Sequence, residues 1–360
     1  MILAGTLQMQ RDVTGVIRRP TPRRAIKTAI DMAHVMAEGP RRLIPQASSR
    51  LAWLEFQNKL EVFSLFEHVD LILDLLPPES MTLLQLTARA SALDSYRSVW
   101  ATEGIGHYYA QGRRATNDDH IQWPTARLAP LHAGMGLAFA SEVLERVGAG
   151  SDSAQLRDEL QGFFRLCHTH SHEGYTGAMY EALGLVARNL YPHLLLAIDA
   201  ELAKLDQQLI GYFWHGVGRA IYFAPSNFLV TCSAARRAME MALSEPPHEL
   251  GKLNAVAGVV WALTLVNLRQ PQILELFLRY HWSQMAAVDV VGKSLSAALL
   301  IWRDSSPTNS LIDKLSQYRP ANSVSSGFWS AVRQACADAS EPNYRVMKEN
   351  NRLGSLFRYY

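Results

Sequence analysis

Ionisable side chains recur beside glycines along this chain. Glu103 precedes Gly104 and His107 follows it by three; Glu181 lies three before Gly184 and Arg188 four beyond; His215 precedes Gly216, Arg219 follows Gly218, and Lys293 follows Gly292. Carboxylates and imidazoles move protons, while a guanidinium or ammonium anchors an anionic or carbonyl end of a ligand. His215 and Arg219 are four apart, so on a helix they share one face beside Gly216 and Ala220. With those faces turned inward, Glu103, His107, Glu181 and His215 are candidates for proton transfer. Arg219, Arg188 and Lys293, together with Gly216 and Gly218, are candidates for binding a substrate in an apolar tunnel. A competing reading is structural: Glu103, Glu181 and Arg219 pair as buried ions that fix helix register.

A second cluster is "CHTHSHE", Cys167 to Glu173. His168, His170 and His172 converge on zinc or copper only in extended backbone, because a two-residue step on a helix turns side chains about 200° apart. No HxxxH or CxxC accompanies them, so no metal and no other cofactor is assigned. GxSxG, HExxH, Walker A and EF-hand patterns do not occur. "NDDH" at Asn117–His120 lacks the further aspartates of a terpene-cyclase metal motif and reads as a cap or turn.

These residues need elements to position them, and the hydrophobic spacing is that of helices. In "LEFQNKLEVFSLFEHVDLILDLL", Leu54, Leu60, Phe63, Phe66, Val69 and Leu73 recur at three and four residues, and alternating β-branched runs are lacking. The expected fold class is all-α. Pro-, Gly- and Ser-rich breaks such as "NLYPH", "YFAPSN", "SEPPHE" and "LRQPQ" divide the chain into helices of roughly 10 to 20 residues. Lead glycines at 104, 134, 184, 216, 258 and 292 recur 30, 50, 32, 42 and 34 residues apart, a period that suits one helix pair per unit in a toroid or solenoid. Each glycine costs roughly 1 kcal/mol in a helix interior. Small residues four further on (Ala138, Ala220, Ala262, Ser296) complete shallow grooves in which neighbouring backbones come close enough to offset that cost. Gly216 and Gly218 do not make a dinucleotide fingerprint, since neither a strand before them nor a third glycine after them is present.

Two regions are expected. Residues 1–46 form a basic, proline-containing arm, with "RRPTPRR" at its centre, and residues 47–360 one helical domain built from glycine-marked pairs. A net charge of +2, from 35 basic and 33 acidic residues, gives no bulk field toward nucleic acid or anionic membranes. The longest uncharged stretch, Lys252 to Arg269, falls short of a membrane span and carries Asn254 and Asn267. Three separated cysteines and the lack of a signal peptide point to the cytoplasm.

The segments "EGIGHYYA" (103–110), "HAGMGLAFA" (132–140), "YEALGLVARNLYPH" (180–193), "HGVGRAIYF" (215–223) and "LNAVAGVVWALTL" (253–265) together resemble the DUF1702 family, uncharacterised proteins associated with enediyne polyketide biosynthesis. Glu181 and Leu183, and the single glycine of "AGVVWA", depart from its more glycine-rich pattern. The resemblance implies a setting, natural-product biosynthesis, with a hydrophobic polyene-like small molecule and biosynthetic proteins as partners. It implies no reaction. Whether the chain is an enzyme stays open, between binding and modifying such an intermediate, serving as a non-catalytic scaffold, and acting as a cofactor-independent isomerase or cyclase that needs an acid of raised pKa.

Overall fold

A computed structural model describes residues 47–75, 80–112, 121–147, 152–228, 234–285, 289–306, 310–321 and 323–360. The basic arm (1–46), the "NDDH" turn and Cys232 lie outside the described residues. Among the described residues the regular elements are all helical. In chain order they are α1 (Ala47–Glu67), α2 (Val69–Ile72), α3 (Leu83–Ala90), α4 (Ser95–Gly112), α5 (Leu128–Arg146), α6 (Ser153–Thr169), α7 (Thr176–Leu190) and α8 (Leu195–Leu205). They continue with α9 (Gln207–Tyr222), α10 (Ala234–Ser244), α11 (Glu249–Val266), α12 (Pro271–Met285), α13 (Val290–Ser305), α14 (Leu311–Gln317), α15 (Ser323–Asp338) and α16 (Glu341–Glu349).

Local chemistry sets several of these boundaries. Asp152 and Asp206 cap α6 and α9, each side chain accepting at 2.8 Å from the amide of Gln155 and Gln208 respectively. Pro192 and Pro225 follow the ends of α7 and α9, and Pro271 opens α12, where its missing N–H costs nothing. His248 caps α11 through Nδ1, which accepts from Gly251 N–H at 2.9 Å; its Nε2 meets Asp199, which also accepts from the Trp214 indole at 2.7 Å.

The expected pairing of helices is realised as a buried row with outlying partners. α4, α5, α7, α9, α11 and α13 pack against one another in that order, α6, α8 and α10 intervene in sequence and lie beside them, and α12 packs on α1, α10 and α15. α13 also meets α5. Toroid closure or solenoid stacking is a finer arrangement than these contacts define.

Glycines hold the row together by a reciprocal rule. A β-carbon at Gly106 would strike the carbonyl oxygen of Leu131, and one at Gly134 that of Glu103; Gly184 and Gly216 stand in the same relation to Phe213 and Glu181, and Gly218 and Gly258 to Ala255 and His215. In each pair, either glycine receives the carbonyl three residues before its partner. Positions two apart on a helix point about 200° apart, so the two glycines of Gly-x-Gly serve opposite neighbours. Gly104 faces Phe66 O of α1 (2.8 Å from a built β-carbon) while Gly106 faces α5; Gly134 faces α4 while Gly136 faces Met179 O of α7 (2.6 Å); Gly216 faces α7 while Gly218 faces α11. Such approach favours Cα–H···O contacts and dense backbone packing, which offset the propensity cost.

A second glycine two residues on, after Gly104, Gly134 and Gly216, adds a crossing on the opposite side, because a row helix has a neighbour on either side. The spacing-based expectation needs one correction: Gly292 is not a packing glycine, since among the described residues no atom lies within 4 Å of a β-carbon built there. α13 approaches α11 through Ser294 instead, whose buried hydroxyl donates to Ala257 O at 2.7 Å. α11 is long and apolar enough to cross a membrane by length and composition, and most of it is buried in the fold. Cys167 and Cys336 are buried free thiols.

Candidate functional site

The glycine crossings bring four of the ionisable residues together. Three of the carbonyls that receive a neighbouring glycine belong to Glu103, Glu181 and His215, so these side chains spring from the turns where helices come closest. Arg219, one turn beyond His215, joins them. Its Nη1 donates to Glu181 Oε2 at 2.8 Å and its Nη2 to Glu103 Oε1 at 3.0 Å, linking α9 to α7 and α4. His215 Nδ1 lies 2.5 Å from Glu181 Oε1. An ionised carboxylate only accepts, so Nδ1 carries the proton. The Arg219 guanidinium also sits 4.5 Å from the ring centre of Trp261.

All four side chains are withdrawn from solvent, and their surroundings divide the carboxylates. Burial raises the pKa of both. At Glu181 the charges and hydrogen bonds of Arg219 and His215 outweigh burial and hold the carboxyl below its ordinary range. At Glu103 burial prevails over the pull of Arg219, and nearby Glu181 raises the carboxyl further. Arg219 shifts upward, because two carboxylates more than compensate for its desolvation. Arg219 and His215 thus favour the anion at Glu181, whereas burial favours the protonated form at Glu103.

Beside Glu103 and Arg219 lies a cavity of about 20 Å³ whose lining includes Trp100, Trp261, Trp302 and Phe357. Its volume suits one water, yet its walls are almost wholly apolar. The far side of His215 is covered by the C-terminal segment: Phe357 packs edge-on and Tyr359 stacks, each with its ring centre 6.0 Å from the imidazole. Among the described residues, buried polar atoms with no hydrogen-bond partner include His215 Nε2 and Arg219 Nε.

The remaining sequence candidates lie elsewhere. His107 packs on Phe66 and meets Gln111 Nε2 at 3.2 Å, because it shares the face of Gly104, which is turned to α1. Arg188 pairs bidentately with Glu245 of the segment after α10, at 2.7 and 2.8 Å. Lys293 is exposed and pairs with Asp289. Gly216 and Gly218 are closed against the carbonyls of Glu181 and Ala255, which makes them packing residues instead of ligand contacts.

In "CHTHSHE", α6 runs through Thr169, so His168 is helical and His170 and His172 follow the helix end. His170 lies on Phe139 and the His172 amide donates to His132 Nε2 at 2.8 Å. No group of three His, Cys, Asp or Glu suited to a metal occurs among the described residues. Trp261, Trp302, Phe357 and Tyr359 are site residues that side-chain type beside a glycine does not reveal. Trp261 lies within the glycine-bearing "LNAVAGVVWALTL" and Phe357 and Tyr359 within the aromatic ending "SLFRYY", while Trp302 stands in an ordinary helical run. No family model, curated protein or solved structure matches the chain.

Proposed function

We propose that this chain binds a hydrophobic, polyene-like intermediate of natural-product biosynthesis and assists its maturation by proton transfer. The observation that carries the reading is Glu103, a buried acid of raised pKa that borders an aromatic-walled cavity and is hydrogen-bonded to Arg219. An acid in that state supplies what a cofactor-independent isomerase or cyclase needs. Glu103 gives a proton to an alkene or carbonyl end of the substrate, its oxygen keeps the electron pair, and Arg219 stabilises the carboxylate until the proton returns. The resemblance to the DUF1702 family supplies the biosynthetic setting.

The cavity holds a water-sized group, so a polyene enters only when a wall moves. That same size favours a second reading, in which the core is solid and the network serves register in a helical scaffold. Mass spectrometry of small molecules released from the natively purified protein separates the two. A conjugated hydrophobic molecule retained by the wild type and lost from folded Arg219→Ala supports the first reading; none in either preparation leaves the scaffold.

A further inference from the structure

The four gathered side chains divide by their place. Glu103 and Arg219 line the cavity, while Glu181 and His215 are not part of its lining. The hydrogen bonds divide in the same way. Both oxygens of Glu181 are engaged, Oε1 by His215 Nδ1 at 2.5 Å and Oε2 by Arg219 Nη1 at 2.8 Å. Among the described residues Glu103 receives a single bond, from Arg219 Nη2 to Oε1 at 3.0 Å. The guanidinium, laid against Trp261, thus gives one Nη to each acid and is bidentate to neither. Its one positive charge cannot balance two carboxylates, so the acids compete for it. Glu181 has the shorter bond and a second donor; Glu103 has neither, and burial presses it toward the neutral form. The ionisable groups that act on Glu103 are Arg219 of α9 and Glu181 of α7. On Glu181 they are Arg219 and His215 of α9, and its own charge reaches Tyr359 of the C-terminal segment.

We propose that Glu181 is a positioning residue for the acid: by taking the charge of Arg219, with His215 as its second donor, it leaves the proton on Glu103, the carboxyl that borders the cavity. Residue type alone makes Glu181 a candidate for proton transfer; its bonds to Arg219 and His215 make it their counter-anion. Use of the Glu103 proton on a substrate rests on the ligand-binding reading above. The division of charge does not.

Infrared spectra of the full chain labelled with carboxyl-13C glutamate test the division, because the C=O stretch of a protonated carboxyl is resolved from the carboxylate bands. At about pH 7 the wild type should show a protonated-glutamate band that Glu103→Gln removes. In Glu181→Gln, Arg219 turns to its remaining acid; the band should fall about tenfold and its titration midpoint move to lower pH. Glu181→Asp keeps the charge and should keep the band. If Glu181 served only packing, folded Glu181→Gln would lose stability and leave the Glu103 titration where it is in the wild type, and that result would overturn the proposal. So would a wild type with no protonated-glutamate band, whether or not the variants fold. Mass spectrometry of molecules retained by the same preparations keeps the two readings apart. The expected bands with nothing retained would uphold the division of charge and sink the ligand reading. A retained hydrophobic molecule beside an ionised Glu103 would do the reverse.

Discussion

Arg219 and Lys59 are both cations withdrawn from water, yet burial moves them in opposite directions. Arg219, where the row helices cross, meets two carboxylates and the face of Trp261, and its pKa is raised. Lys59, on α1, is equally buried and has an aromatic face too, the Tyr222 ring at 3.8 Å, with Asn227 O at 3.2 Å. Among the described residues it meets one carboxylate, Glu55 at 3.1 Å, and its pKa is lowered because desolvation outweighs that partner. The contrast shows that an aromatic face and a carbonyl do not replace a second carboxylate. His132 extends the series. It lies between the rings of Trp123 and Tyr175, donates from Nδ1 to Leu128 O at 2.7 Å and accepts at Nε2 from the His172 amide, and burial takes its pKa down to about 4.

The largest effect is expected where the pairing is most complete. Glu181→Ala strands Arg219 and His215 in the core and should cost about 3–5 kcal/mol in chemical denaturation. Next comes His132. Its unfolded form titrates near 6.5 and its folded form near 4, so on acidification the unfolded state takes the proton first. Stability should therefore be full above about pH 6.5 and fall by roughly 3 kcal/mol as the pH drops to about 4. Urea titrations across that range test the slope, which His132→Asn should flatten.

Two glycines that look alike in sequence should then separate. Gly258→Ala drives a methyl into His215 O and should destabilise by about 1–3 kcal/mol. Gly292→Ala meets no atom of the described residues and should stabilise by about 0.5–1 kcal/mol through helix propensity alone. Thermal unfolding of both variants makes the comparison. Lys59 tests the direction alone. The unfolded lysine binds its proton more tightly than the folded one, so stability should rise as the pH climbs toward about 10.5, and Lys59→Met should remove that rise.

Much of this was legible in the sequence for reasons that the structure makes explicit. Helical periodicity is local, so the all-α class followed from the spacing of Leu60, Phe63 and Phe66. Recurrent lead glycines announced close crossings, and Glu103, Glu181, His215 and Arg219 converge because they sit within a turn of the glycines that make those crossings. His107, Arg188 and Lys293 did not follow, since adjacency in sequence leaves open which way a helix faces. His107 turns to α1, and Lys293 follows a glycine that makes no crossing. The C-terminal cover of His215 was not legible at all. Its hold includes the Asn254 side chain, which accepts from the Tyr359 amide more than a hundred residues away, and neither periodicity nor composition encodes such a contact over that distance.

The central claim is that glycine-to-carbonyl crossings gather Glu103, Glu181, His215 and Arg219 into one coupled buried network. A double-mutant cycle between Glu103→Ala and Arg219→Met, read by equilibrium denaturation, tests it most directly. Coupling of at least about 1 kcal/mol is the expected result. Effects that add to within about 0.3 kcal/mol would contradict it, placing the two side chains in independent surroundings.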